Sequence, residues 1–405
     1  MDHEQTKAST ARQTMPDLAR AISLVGIALV NVAVISYPLM GAYIYGGLNS
    51  APDNIAYFAV NALFLMKTYT LFAFMFGVGF AYQIQSAQRA GVGFHGRYFR
   101  RIVGLALLGL LNIAFLFQGD ILVMYAILGS LLYLFRNASV KALMIAGFGF
   151  YFVQILAFVA ITLALHFGHQ ETPDDMASEL SAIADTVARS HAIYGDGTFA
   201  QAIALRLREW SEIIEAGIVL DGTGAMAFFL FGFAAVKSGI IADPSAQIWK
   251  RFRTFFLPIG LLGSALAAYV QSLGDGVLAP ISMLGMTLIA LFSLFSTAGY
   301  LGLIARWAAG PTTRFKAFLA KAGSASLTAY LLQGLFLSLI FNAYGLAYYA
   351  QLGAFNSILI ALAVSIVTIC ITGTWRSLYV RGPFEYVLRL LTYWGQRGGG
   401  HSPTQ

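Results

Sequence analysis

Few side chains in this sequence can do chemistry. Those that interrupt long apolar runs stand out, because an ionisable or amide group in lipid is costly. Lys67 lies within ALFLMKTYTLF, Asp120 at the tip of the hairpin-like stretch RRIVGLALLGLLNIAFLFQGDILVMYAILG (100–129), and Asp221 in a later apolar run. Uncharged polar residues at similar depth are Asn31, Asn61, Asn112, Tyr330, Gln333 and Asn342. Tyr330 and Gln333 are three apart and share one helix face. The expectation is one polar cavity in the outer half of the membrane, lined by Asn31, Lys67, Asn112 and Asp120; if Lys67 and Asp120 pair there, the two should be energetically coupled. Asn112, Asp120 and Lys67 are then the candidate catalytic residues, and Asn31, Tyr330 and Gln333 stand on the substrate side. A plainer reading stands beside it: asparagines hydrogen-bond between packed membrane helices, and a lysine can snorkel to the interface.

Other chemical templates fail. The chain has no G-x-S-x-G, no Walker A, no H-E-x-x-H and no dinucleotide fingerprint after a strand. One H-x-x-x-x-D, His169 to Asp174, has the spacing of soluble glycerolipid acyltransferases. It falls on the side that cytosolic acyl-CoA cannot reach. No histidine lies deep in an apolar run, so a buried histidine base is not expected. The single cysteine, Cys370, excludes an intramolecular disulfide and a cysteine-based zinc site, and no metal is expected.

The elements that position these residues follow from composition. The chain has 405 residues, 58% hydrophobic and 11% charged, too few charges to cover a soluble surface. Mean hydropathy is +0.72. The apolar runs are about 20 residues long without period-2 alternation, which selects transmembrane helices. An all-α polytopic bundle of about ten spans is predicted. The spans fall near 18–38, 55–84, 101–118, 120–136, 140–166, 213–236, 254–273, 279–304, 324–348 and 355–379, and the 55–84 run is long enough to be tilted or broken. Residues 1–405 form a single integral membrane domain. The acidic stretch 169–212 is external, either a solvated loop or amphipathic helices. FAFMFGVGFA (72–81) and FFLFGFAA (228–235) look alike, but their places do not fit a five-plus-five duplication. The first 17 residues show no cleavable signal peptide, and the tail GGGHSPTQ reads as disordered.

Net charge is +7. Of the 25 lysines and arginines, Lys67 lies inside a span and only Arg189, Arg206 and Arg208 lie on the side opposite the termini. The positive-inside rule places both termini in the cytoplasm. The basic balance is thereby topology, and nucleic-acid binding loses its support. Arg20, Arg97, Arg100 and Arg101 can hold phosphates of a donor, or only mark that topology. Arg381, Glu385 and Arg389 are spaced by four, so one helix face could pair them. With Asp17 they form a structural set.

The order of motifs resembles the YeiB-like family of bacterial inner-membrane proteins, over nearly the whole length. PDLARAISLVGIALVN carries Asp17, Arg20, Gly26 and Asn31 in the family's N-terminal pattern, with Ala21 in place of a glycine. KTYTLFAFMFGVGFAYQIQSAQRAG, RRIVGLALLGLLN, GDILVMYAILG, FGFAAVKSGII, GSASLTAYLLQGLF and RGPFEYVLRLLTYW follow in order. The chain departs from the family at Asn112, where a histidine is usual, and at Ala329, where an asparagine is usual. The resemblance implies kinship with transmembrane acyltransferases that modify sugars and envelope polymers. A histidine would be the general base there. Asn112 can only orient or stabilise by hydrogen bonds.

Three functions therefore stand open. The first is an acyltransferase-like protein, using acyl-CoA as donor and an envelope or lipid hydroxyl as acceptor. The second is a transporter or exporter of a small molecule or lipid. The third is a non-catalytic membrane scaffold. Membrane lipids are the expected surroundings in each.

Overall fold

The computed structural model describes residues 14–39, 42–168, 173–274, 276 and 279–394. The regular structure among these residues is all helical, with no strand among them. In chain order the helices are α1 Thr14–Ser36, α2 Ala51–Leu63, α3 Thr68–Arg89, α4 Phe94–Phe115, α5 Leu122–Leu132, α6 Val140–Phe167, α7 Pro173–Asp196 and α8 Phe199–Gly217. They continue with α9 Thr223–Lys237, α10 Gln247–Arg251, α11 Leu257–Ser272, α12 Pro280–Ala309, α13 Arg314–Gly323, α14 Ser326–Phe341, α15 Ala354–Leu378 and α16 Pro383–Tyr393. Among the described residues eight helices are long and apolar enough to cross a membrane, or nine if the bent pair α13–α14 counts as one span. The run expected at 120–136 forms the shorter apolar helix Leu122–Phe135. The protein is a polytopic transmembrane helix bundle.

Where the spans break, side chains satisfy the freed backbone. Between α2 and α3 Met66 takes a left-handed φ of 61°, and Leu65 N bonds Val60 O, one residue back from its helical partner. That frees the Asn61 carbonyl, which accepts from Lys67 Nζ at 2.9 Å. The α13–α14 pair bends by 79°, leaving the first N–H groups of α14 without helical partners. Glu385 of α16 takes two of them, Leu327 N at 2.7 Å and Thr328 N at 3.2 Å, and also the Thr328 hydroxyl at 2.6 Å. Lys316 Nζ donates to the carbonyls of Trp307, Ala308 and Gly310 at 2.7, 3.2 and 2.6 Å, closing the end of α12.

The stretch 169–212, expected as either a solvated loop or amphipathic helices, holds α7 and most of α8. A capping box at Thr198 and Gln201 starts α8, which then runs through a π-turn, Ile218–Gly222, into α9. Asp221 sits in that turn. The look-alike runs 72–81 and 228–235 pack on each other: a Cβ at Gly77 would lie 1.9 Å from Phe229 O, and one at Gly232 would lie 2.0 Å from Phe74 O. Phe76 stacks on Phe229 with ring centroids 4.3 Å apart. Their likeness is thus the complementarity of a close helix pair, α3 with α9. His169, Lys7, Arg12, Arg397 and the tail after Trp394 lie outside the described residues.

Candidate functional site

The structure divides the sequence candidates into a central polar cluster and a pocket at one end of the bundle. In the centre, α4 brings Asn112 beside Asp120, in the turn between α4 and α5. Asn112 Nδ2 donates to Asp120 Oδ2 at 2.7 Å. Asp120 Oδ1 accepts from Leu122 N at 2.7 Å and Val123 N at 3.0 Å, capping α5, and the Tyr330 hydroxyl approaches Oδ2 at 3.4 Å. Four donors thus hold this carboxylate. A cavity of about 10 Å³ beside it is lined by Asn31, Asn112, Tyr330, Gln333 and Gly334 among others. The expected single cavity is therefore only partly formed. Lys67 is absent from it and makes no ion pair with Asp120, because its ammonium is drawn to the open end of α2. Lys67 is 0% exposed, so it does not snorkel either.

At the end where α4 begins lies a pocket of about 390 Å³. Arg97 and Arg101 of α4, Arg376 of α15, Arg381 of the following loop and Arg389 of α16 line it, with Tyr82, Ser324, Tyr393 and Glu385. Tyr393 lies between two guanidinium groups, Arg97 at 4.5 Å and Arg389 at 4.8 Å from its ring centroid, and its hydroxyl accepts from Arg97. Arg376 Nε donates to Ser324 Oγ at 2.7 Å. The Arg101 guanidinium makes no hydrogen bond or ion pair among the described residues. Burial, and next the nearby charge of Arg389, pulls the Arg381 guanidinium below its usual range. Among the described residues Glu385 is the only acidic one lining it, and its oxygens are taken by α14.

Several candidates change role. The expected pairing of Arg381, Glu385 and Arg389 along one face does not form: α16 starts at Pro383, after Arg381, and the bare N-terminus of α14 offers Glu385 better-placed donors. Asp17 pairs with Arg20 at 3.0 Å, and Arg20 also reaches Met75 O at 3.4 Å. Arg100 is turned away from the pocket lining and pins α16 through Thr392 O at 2.9 Å. Arg376 and Tyr393 were not singled out from the sequence. Arg376 stood among the basic residues of the same side, the one signal that could have raised it.

Residues 235–395 match the family model described as a protein of unknown function (DUF418). The chain is 26% identical over 408 residues to the uncharacterized protein YxaH of Bacillus subtilis (strain 168), covering 97% of each chain. It is 25% identical over 391 residues to the uncharacterized protein YeiB of Escherichia coli (strain K12), covering 94% of this chain and 96% of that one. No solved structure matches it significantly. Similarity over nearly the full length to YeiB and YxaH, with the match over 235–395, supports a likeness to the YeiB-like proteins.

Proposed function

We propose that the protein is an acyltransferase-like protein of the inner (plasma) membrane. In this reading the arginine pocket faces the cytosol and takes the phosphates of an acyl donor such as acyl-CoA, and the acceptor is an envelope or lipid hydroxyl. One observation carries it: five arginines surround a pocket of about 390 Å³ whose only acidic lining residue among those described is committed to a helix end. Guanidinium groups are suited to bidentate phosphate binding. The N-terminal end of α4 adds its own partial positive charge. Asn112 lies 11 residues beyond Arg101 on the same helix, or about 16 Å at 1.5 Å per residue, comparable to the reach of the pantetheine arm of coenzyme A.

In this reading Asn112 positions groups by hydrogen bonding and takes no proton, while Asp120 serves the turn. That engagement of Asp120 also favours a second reading, a scaffold that binds the anion without catalysis. The test is binding of acyl-CoA to the purified protein in detergent by calorimetry. Arg101→Gln and Arg381→Gln should each weaken binding about tenfold, the loss of about 1.4 kcal/mol. Absence of binding by the unaltered protein, or unchanged affinity in both variants, would overturn the proposal. Asn112→His then separates the two readings: gain of acyl-CoA hydrolysis favours the acyltransferase, and binding without turnover favours the scaffold.

A further inference from the structure

Two buried acceptors in the central cluster lack a donor. Asn112 and Gln333 are each 3% exposed, and Asn112 Oδ1 and Gln333 Oε1 have no hydrogen-bond partner among the described residues. Turning either amide over does not help. Asn112 Nδ2 faces the Asp120 carboxylate, and Gln333 Nε2 faces Leu24 O at 3.3 Å and Ser365 Oγ at 3.5 Å. A flip would set oxygen against oxygen at Asp120 and at Leu24. Both residues line the small cavity of about 10 Å³, with Asn31 and Gly334. That is about the room of one water molecule, and buried acceptors are almost always paired with protein groups or ordered water.

We propose that this cavity is a binding site for one ordered water, which donates one hydrogen to Asn112 Oδ1 and the other to Gln333 Oε1. The water ties α4 to α14, where Asn112 Oδ1 and Gln333 Oε1 offer each other acceptors only. A neutral two-hydrogen donor fits the chemistry better than a small cation, because the neighbouring Asp120 carboxylate already has four donors and is not free to balance a second charge. The inference goes beyond the proposed donor pocket and does not depend on it.

Gly334→Ala tests it through the sign of its effect. A Cβ on Gly334 would meet Asn112 Oδ1 at 3.4 Å and Leu116 Cβ at 3.7 Å, ordinary contacts that require no shift. If the cavity were dry, the added methyl would fill space and improve helix propensity, and the melting temperature would rise. If a water bridges the two amides, the methyl displaces it, bares both acceptors and lowers the melting temperature by a few degrees. A high-resolution density map of the unaltered protein supplies the second measurement, and it decides alone if the variant does not fold. A peak within hydrogen-bonding distance of both oxygens is expected, absent from the variant's map. No such peak, or a raised melting temperature in Gly334→Ala, would overturn the proposal.

Discussion

Cations at opposite ends of helices meet different fates in this bundle. Lys67, Lys316 and Arg206 lie 0%, 1% and 1% exposed, and none has a carboxylate partner among the described residues. Each instead serves a helix C-terminus, where exposed carbonyls and the helix dipole favour positive charge. Lys67 reaches Asn61 O of α2, and Lys316 the last carbonyls of α12. Arg206 reaches Ala114 O and Phe115 O of α4 at 3.4 and 3.2 Å, and also the Tyr344 hydroxyl at 2.5 Å. Arg97 stands near the other end of α4, where the dipole opposes it, and Arg101, one turn further in, makes no hydrogen bond or ion pair among the described residues. Buried charge with its acceptors in place is architecture. Charge gathered around open space is the feature on which the proposed anion site rests.

That contrast breaks most visibly at the two ends of α4. Arg206→Leu should strip the C-terminal carbonyls of α4 and the tyrosine hydroxyl of their shared donor. The expected loss is of order 3 kcal/mol, two or more charge-assisted hydrogen bonds, read as a large fall in melting temperature in detergent. Arg101→Gln should change stability by less than about 0.5 kcal/mol in either direction, or raise it by relieving like-charge repulsion. Equal losses from both variants would erase the distinction between an architectural and a ligand-seeking arginine.

Glu385 sharpens the comparison from the acidic side. If its carboxylate belongs to α14, Glu385→Ala removes three accepted hydrogen bonds at a helix N-terminus and lowers stability by about 1–2 kcal/mol. Acyl-CoA affinity should hold or tighten, because a negative charge leaves the arginine pocket. A variant that keeps its melting temperature and loses affinity would instead make Glu385 part of the binding machinery.

The helical class and most span positions were legible because an apolar run of span length is a local signal. The 55–84 run was long enough to suggest a break, but only the chain's own fold shows it falling at Met66 and Lys67. Other features depend on partners far along the chain. Nothing near Glu385 says that it will cap α14, 58 residues before it. Arg97 and Arg101 likewise meet Arg376, Arg381 and Arg389 only through packing. Asn112 beside Asp120 could be anticipated, since a hairpin brings its arms together. Lys67 misled because a lysine in an apolar run looks like an ion-pair partner, whereas a broken helix offers it a carbonyl that sequence does not display.

The coupling between Lys67 and Asp120 is therefore the smallest expected effect and the cleanest check on that lesson. Lys67→Ala exposes the Asn61 carbonyl, and Asp120→Ala leaves Leu122 N, Val123 N and Asn112 Nδ2 without their acceptor. Each single change should cost stability on its own. Because the two side chains share no partner and line no common cavity, their losses should add to within about 0.5 kcal/mol in a double-mutant cycle. A coupling clearly above that would mean that lysine and aspartate sense each other across the bundle. Lys67 would then belong with the site and no longer with the cations that close helix ends.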